Sequence, residues 1–173
     1  CLAYFRRAVE LDPANVVVQR NFLQVLFMCR HWDEVRAVHQ RLIAMMPDPL
    51  REQLDAADAE FQMTGSLVAA DAVLARLTPA QRELPIALFF RKAWAADRRD
   101  YVEYRRLDQL QPSLESEVAT DYSDLVAAEA YYAAGDPTAA RARIAASYAK
   151  WKTRLPNEPT SAIATSGMGL MEA

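Results

Sequence analysis

Proline returns at a nearly constant interval behind stripes of apolar residues, and this recurrence limits what the chain can fold into. The stretch FRRAVELDP ends at Pro13 and HQRLIAMMP ends at Pro47, 34 residues later, with Phe5/His39 and Ala8/Leu42 in register. Pro79 follows Pro47 by 32 residues, Pro112 follows Pro79 by 33, and Pro156 closes a longer gap of 44. Proline cannot continue a helix and disfavours helix in the residue before it. Between the prolines the apolar residues recur at helical spacing. A period in this range is the mark of an array in which each unit buries its face only against its neighbours.

The units read as helix pairs. Residues 1–13 form the second half of a pair, with Leu2, Phe5, Ala8 or Val9, and Leu11 on its apolar stripe. Residues 14–47 carry Gln19, Phe22, Leu23 and Leu26 on a first helix and Val35, His39 and Leu42 on a second. In 48–79, Leu54, Ala57, Asp58 and Phe61 precede a Gly65-Ser66 turn, and Ala70, Leu74 and Leu77 follow it. The unit 80–112 restarts at Pro85 with Ile86, Phe89, Phe90 and Ala93, turns at 97–100, and continues with Tyr101, Tyr104, Leu107 and Leu110. In 113–156 the two helices are longer, roughly 114–134 and 137–154, around a turn at Gly135 with Asp136-Pro137 as N-cap and first helical residue. A last half unit occupies 157–173. The chain starts and ends partway through a unit, so a longer parent chain is expected. Uncovered apolar faces at both ends also lead to an expectation of end-to-end self-association.

Composition excludes several classes. Net charge is −3, which offers no basic field for nucleic acid, and Arg98-Arg99 and Arg105-Arg106 stand among Asp97, Asp100, Glu103 and Asp108. No apolar run approaches the ~20 residues of a membrane span. The two cysteines, Cys1 and Cys29, fall in helical patterns and read as small buried hydrophobes; their scarcity favours a reducing, cytoplasmic setting. His31 and His39 are eight apart, which is not the spacing of a zinc helix. There is no phosphate loop, no Gly-x-Ser-x-Gly and no nucleophile motif. No enzyme activity, cofactor or metal is expected.

Taken together, the closing prolines and the residues in register resemble tetratricopeptide repeats over nearly the whole chain, as four units and two halves. The later units, followed by RLPNEPTSAIATSGMGLMEA, are also similar to repeat regions of large bacterial multidomain regulators. The resemblance departs from the repeat pattern in lacking Trp at its first slot and in having the turn glycine only at Gly65 and Gly135. It implies an all-α, right-handed superhelical solenoid of antiparallel helix pairs whose concave face binds a peptide or partner domain. Carried onto this sequence, that face holds Arg20, Gln24 and Phe27 on one first helix and Arg91 and Trp94 on a later one. Tyr122, Glu129 and Tyr132 follow on the last. Aromatic and Arg side chains dominate binding hot spots; the competing reading of Trp94 and Phe27 is packing against the next unit. The expected function is a non-enzymatic interaction scaffold. The rivals are a sensor region that binds a small ligand and controls an attached kinase, cyclase or transcription domain, and a segment whose groove is occluded by flanking domains.

Overall fold

A computed structural model describes residues 2–110, 119–154 and 156, and every regular element among them is an α-helix. In chain order these are α1 (Leu2–Leu11), α2 (Val16–Met28), α3 (Trp32–Met45), α4 (Leu50–Thr64) and α5 (Val68–Arg76), then the single-turn α6 (Pro79–Arg82). They continue with α7 (Pro85–Asp97), α8 (Tyr101–Leu110), α9 (Ala119–Ala133) and α10 (Pro137–Arg154). The chain divides into two compact units, Cys1–Arg82 and Glu83–Ala173. Within each, helices pack chiefly on their neighbours in sequence: α1 to α5 in the first, α7 to α10 in the second.

The breaks between helices have local causes. Asn15 caps α2, its Oδ1 accepting from the backbone N–H of Val17 and Val18, both at 3.1 Å. Asp136 does the same for α10, accepting from Ala139 N at 3.0 Å. Thr78 and Gln81 form a reciprocal box around α6, with Gln81 N donating to Thr78 Oγ1 at 3.2 Å and Thr78 N to Gln81 Oε1 at 3.1 Å. At Asp48-Pro49 the helix starts one residue later than the sequence suggests, and Asp48 Oδ1 accepts from Leu50 N at 3.2 Å.

Among the described residues four turns are built on a left-handed residue: Arg30, Gly65, Arg99 and Gly135, spaced 35, 34 and 36 apart. Three share one hydrogen-bond pattern. His31 N donates to Leu26 O, Asp100 N to Ala95 O, and Asp136 N to Tyr131 O, with Arg30, Arg99 and Gly135 each donating one turn inside. Sequence reading expects turn glycines at two of these sites only; at the other two an arginine occupies the strained region, φ 57° in each case.

In the first unit the core is Val9, Phe22, Leu26, Val35, Val38, Leu42 and Ala59, with Leu2, Phe5 and Trp32 packed against it. Each side chain of this size is worth ~1.5–3 kcal/mol when buried. Arg6 reaches Glu34 at 2.8 Å to tie α1 to α3, and Arg36 reaches Glu60 at 2.6 Å to tie α3 to α4. In the second unit Ala95, Tyr104, Ala127 and Ala130 form the core, where alanines let α9 approach closely. Three expectations fail. Leu11 and Leu110 are exposed at the last residue of their helices, and Cys29 is an exposed C-cap rather than a buried hydrophobe. In each case the side chain has passed the end of the packed stripe. The expected half unit 157–173, the closure at Pro112 and the start of the helix expected from 114 lie outside the described residues.

Candidate functional site

The sequence-derived site divides between the two units. On α2 the apolar residues Phe22 and Leu26 turn into the core, which leaves Arg20, Gln24 and Phe27 together on another face. On α4 Leu54 and Ala57 are buried, and Arg51, Asp55 and Asp58 recur at i, i+4 and i+7, again on one face. These six side chains border a cavity of about 620 Å³ that opens to solvent. Leu23, Met28 and Ala59 complete its walls, and His39 enters from α3.

Beside this cavity, one turn before Asp55, Glu52 is buried. Arg20 donates to Glu52 Oε1 from Nε at 3.1 Å and from a terminal guanidinium nitrogen, joining α2 to α4. Glu52 Oε2 has no hydrogen-bond partner. Arg51 Nε lies 3.5 Å from Asp55 Oδ2. Burial pushes the Asp55 carboxyl above its ordinary value; Glu52 and Asp58 push the same way, while Arg51 and Arg20 oppose them. His39 is 5% exposed, and its Nδ1 has no hydrogen-bond partner. Burial holds its pKa below the ordinary value, only partly offset by Glu52 and Glu60. The ring is therefore neutral at pH 7. Phe27 stands edge-on to Trp32, ring centroids 5.4 Å apart, so one side of it is packed and the other borders the cavity.

The second unit treats its expected site residues differently. Trp94 is 0% exposed and lies 5.4 Å from the Phe90 ring; it is a core residue and offers no surface to a peptide. Arg91 is mostly covered and pairs with Glu103 at 3.1 Å. The physical reason is register. The left-handed turn at Arg99 puts Ala95 where Leu26 stands in the first unit. That moves the α7 slots two residues from those expected, so Ile86, Phe89, Ala93 and Ala96 take the positions of Val17, Arg20, Gln24 and Phe27. All four are half-buried. On α9, Glu129 and Tyr132 are exposed and border a mostly apolar depression of about 460 Å³ with Leu125, Ile144 and Arg141. Tyr122 belongs to α9 by its backbone, and its side chain lies outside the described residues.

Sequence reasoning missed Arg51, Asp58 and His39 as cavity residues. The i, i+4, i+7 spacing on α4 was visible, but solvated charged faces have the same spacing. It also missed a buried polar cluster in the second unit. There Asp108 accepts from Lys92 Nζ at 3.1 Å, from an Arg143 guanidinium nitrogen at 2.6 Å and from Tyr131 OH at 3.3 Å. Four helices, α7 to α10, meet at this one carboxylate.

Comparison of the chain with protein-family models, with characterised proteins and with solved structures finds no match. No helix among the described residues is long and apolar enough to cross a membrane.

Proposed function

We propose that this chain is a non-enzymatic interaction scaffold of tetratricopeptide type, with the helix pairs stacked as a solenoid, and that it binds an extended segment of a partner protein along α2 and α4. The observation that carries this reading is the open cavity of about 620 Å³ bordered by Arg20, Gln24 and Phe27. Its walls alternate guanidinium, carboxylate, amide and aromatic groups, the mixture that recognises a peptide by a few anchors. The recurrence of left-handed turns every 34 to 36 residues supports the repeat reading. The sensor reading calls for an enclosed apolar pocket with convergent polar groups; a solvent-open cavity of mixed polarity favours the peptide.

The test is selection of binding peptides from a random display library with the full chain, followed by affinity measurement on a Gln24→Trp variant. Gln24 is exposed on α2, so a bulky ring there fills the mouth of the cavity and spares the core. Selected peptides should bind the variant at least tenfold more weakly. A library that yields no binders, or binders indifferent to the substitution, overturns the reading.

A further inference from the structure

The apolar depression between α9 and α10 is symmetric about its own midline. The two helices are joined by the short turn at Gly135 and pack closely on each other. They therefore run antiparallel, and residues equally far from Gly135 lie side by side. Glu129 stands six residues before Gly135 and Arg141 six after it; Val126 stands nine before and Ile144 nine after. All four border the depression. Glu129 and Arg141 are exposed, and among the described residues neither makes a hydrogen bond or ion pair. Leu125, Val126 and Ile144 are half-buried, and Tyr132 leaves 68% of its surface in solvent. Apolar side chains scattered singly over a surface need no explanation, but a contiguous apolar depression rimmed by charge marks an interaction surface.

The arrangement of charge says what covers it. A two-fold axis lying in the groove, parallel to the helices, exchanges its two banks, so that α9 of one copy lies over α10 of another. Each residue then meets the one equally far from Gly135 on the opposite helix. Arg141 meets the second copy's Glu129, and Val126 meets the second copy's Ile144. A two-fold interface requires this reciprocity, in which residue i touches j and j touches i. A patch bearing one sign of charge would repel its own copy, whereas an unrelated partner has no need of the balance.

We infer that α9 and α10 form the interface of a two-fold symmetric dimer of this chain, with Glu129 and Arg141 exchanged as two ion pairs around an apolar centre of Leu125, Val126, Tyr132 and Ile144. A closed two-fold contact stops at two copies, unlike the end-to-end stacking expected from uncovered terminal faces. The lining residues are few beside the about 20–30 per side of a standard interface, so the association is weak. It uses no residue of the α2–α4 cavity and stands independently of the peptide-binding reading.

The experiment is sedimentation velocity on the full chain from about 5 to 500 µM, the range of weak association. The parent should pass from monomer to dimer across this range and go no further. Glu129→Arg and Arg141→Glu each set like charges against one another twice in the dimer, and each should weaken it at least tenfold. Both side chains are exposed, so the thermal midpoint of either variant should stay near that of the parent. An equimolar mixture of the two variants should recover dimer at about the parent's strength, because one copy then presents two cations and the other two anions. A misfolded variant could not give that rescue. A parent that stays monomeric at the top of the range overturns the inference, as does assembly that grows beyond the dimer. Variants that associate like the parent, or a mixture without recovery, overturn it equally.

Discussion

Replacing Asp108 should destabilise the second unit more than replacing Asp108 and Lys92 together. Asp108 is 2% exposed and lies within hydrogen-bonding distance of two cations: the Lys92 side chain is 9% exposed and that of Arg143 is 23%. At the 3.1 Å separation of Lys92 Nζ from the carboxylate, an effective dielectric of about 20 gives a gross attraction of ~5 kcal/mol. Most of this offsets the desolvation of both groups. When one partner of such a pair is removed, the stranded charge costs ~3–5 kcal/mol, whereas an apolar replacement of both is near neutral. Asp108→Leu should therefore lose ~3 kcal/mol or more, and Lys92→Met/Asp108→Leu should recover part of that loss, the remainder being the Arg143 guanidinium left without its carboxylate. Repeat arrays do not always unfold in one step, so the assay is native-state hydrogen exchange on peptides from α7 and α8. A 3 kcal/mol loss reads as roughly 150-fold faster opening there. If the single and double variants exchange alike, the charges are hydrated and the buried-pair argument is refuted.

The turns allow an opposite pair of predictions. An added Cβ at Gly135 meets nothing within 4 Å, so Gly135→Val costs only its left-handed backbone, φ +82°, ~1–2 kcal/mol; a denaturation midpoint equal to the parent's would contradict this. Arg99→Gly, at φ 57°, relieves the same strain less the entropy of glycine and should stabilise by ~0.5 kcal/mol, read in the same titration. For His39 the direction of the pH effect follows from burial. Its folded pKa lies below the ordinary 6.5, so between those values the unfolded chain binds more protons and stability falls as pH drops through 6.5. His39→Phe should flatten the thermal midpoint between pH 7.5 and 5.5. An unchanged slope would show that the ring is hydrated.

Much of the helical layout was legible because it depends on local chemistry. Pro85, Asn15, Asp136 and Gly135 act within a few residues of where they stand, and the breaks near 13, 47, 65, 80 and 135 follow from such residues. Register was legible only where a local anchor existed. Gln19, His39 and Leu54 take the buried slots expected of them, but α7 slipped by two because its turn is held by Arg99, a residue with no intrinsic preference for the left-handed region. That slip sent Trp94 to the binding face in the sequence reading and to the core in the structure. The Asp108 cluster was illegible for another reason: its partners lie 16, 23 and 35 residues away, and nothing local distinguishes a buried carboxylate from a solvated one. On α4 the spacing of Arg51, Asp55 and Asp58 could be read, but not the cavity that gives it meaning.

The most direct test of the interaction reading is a crystal structure of the full chain with a peptide selected on it. The account predicts an extended peptide lying along α2 and α4, in contact with Gln24 and the open side of Phe27. A peptide seated on another surface, with the α2–α4 cavity left to solvent, would contradict it.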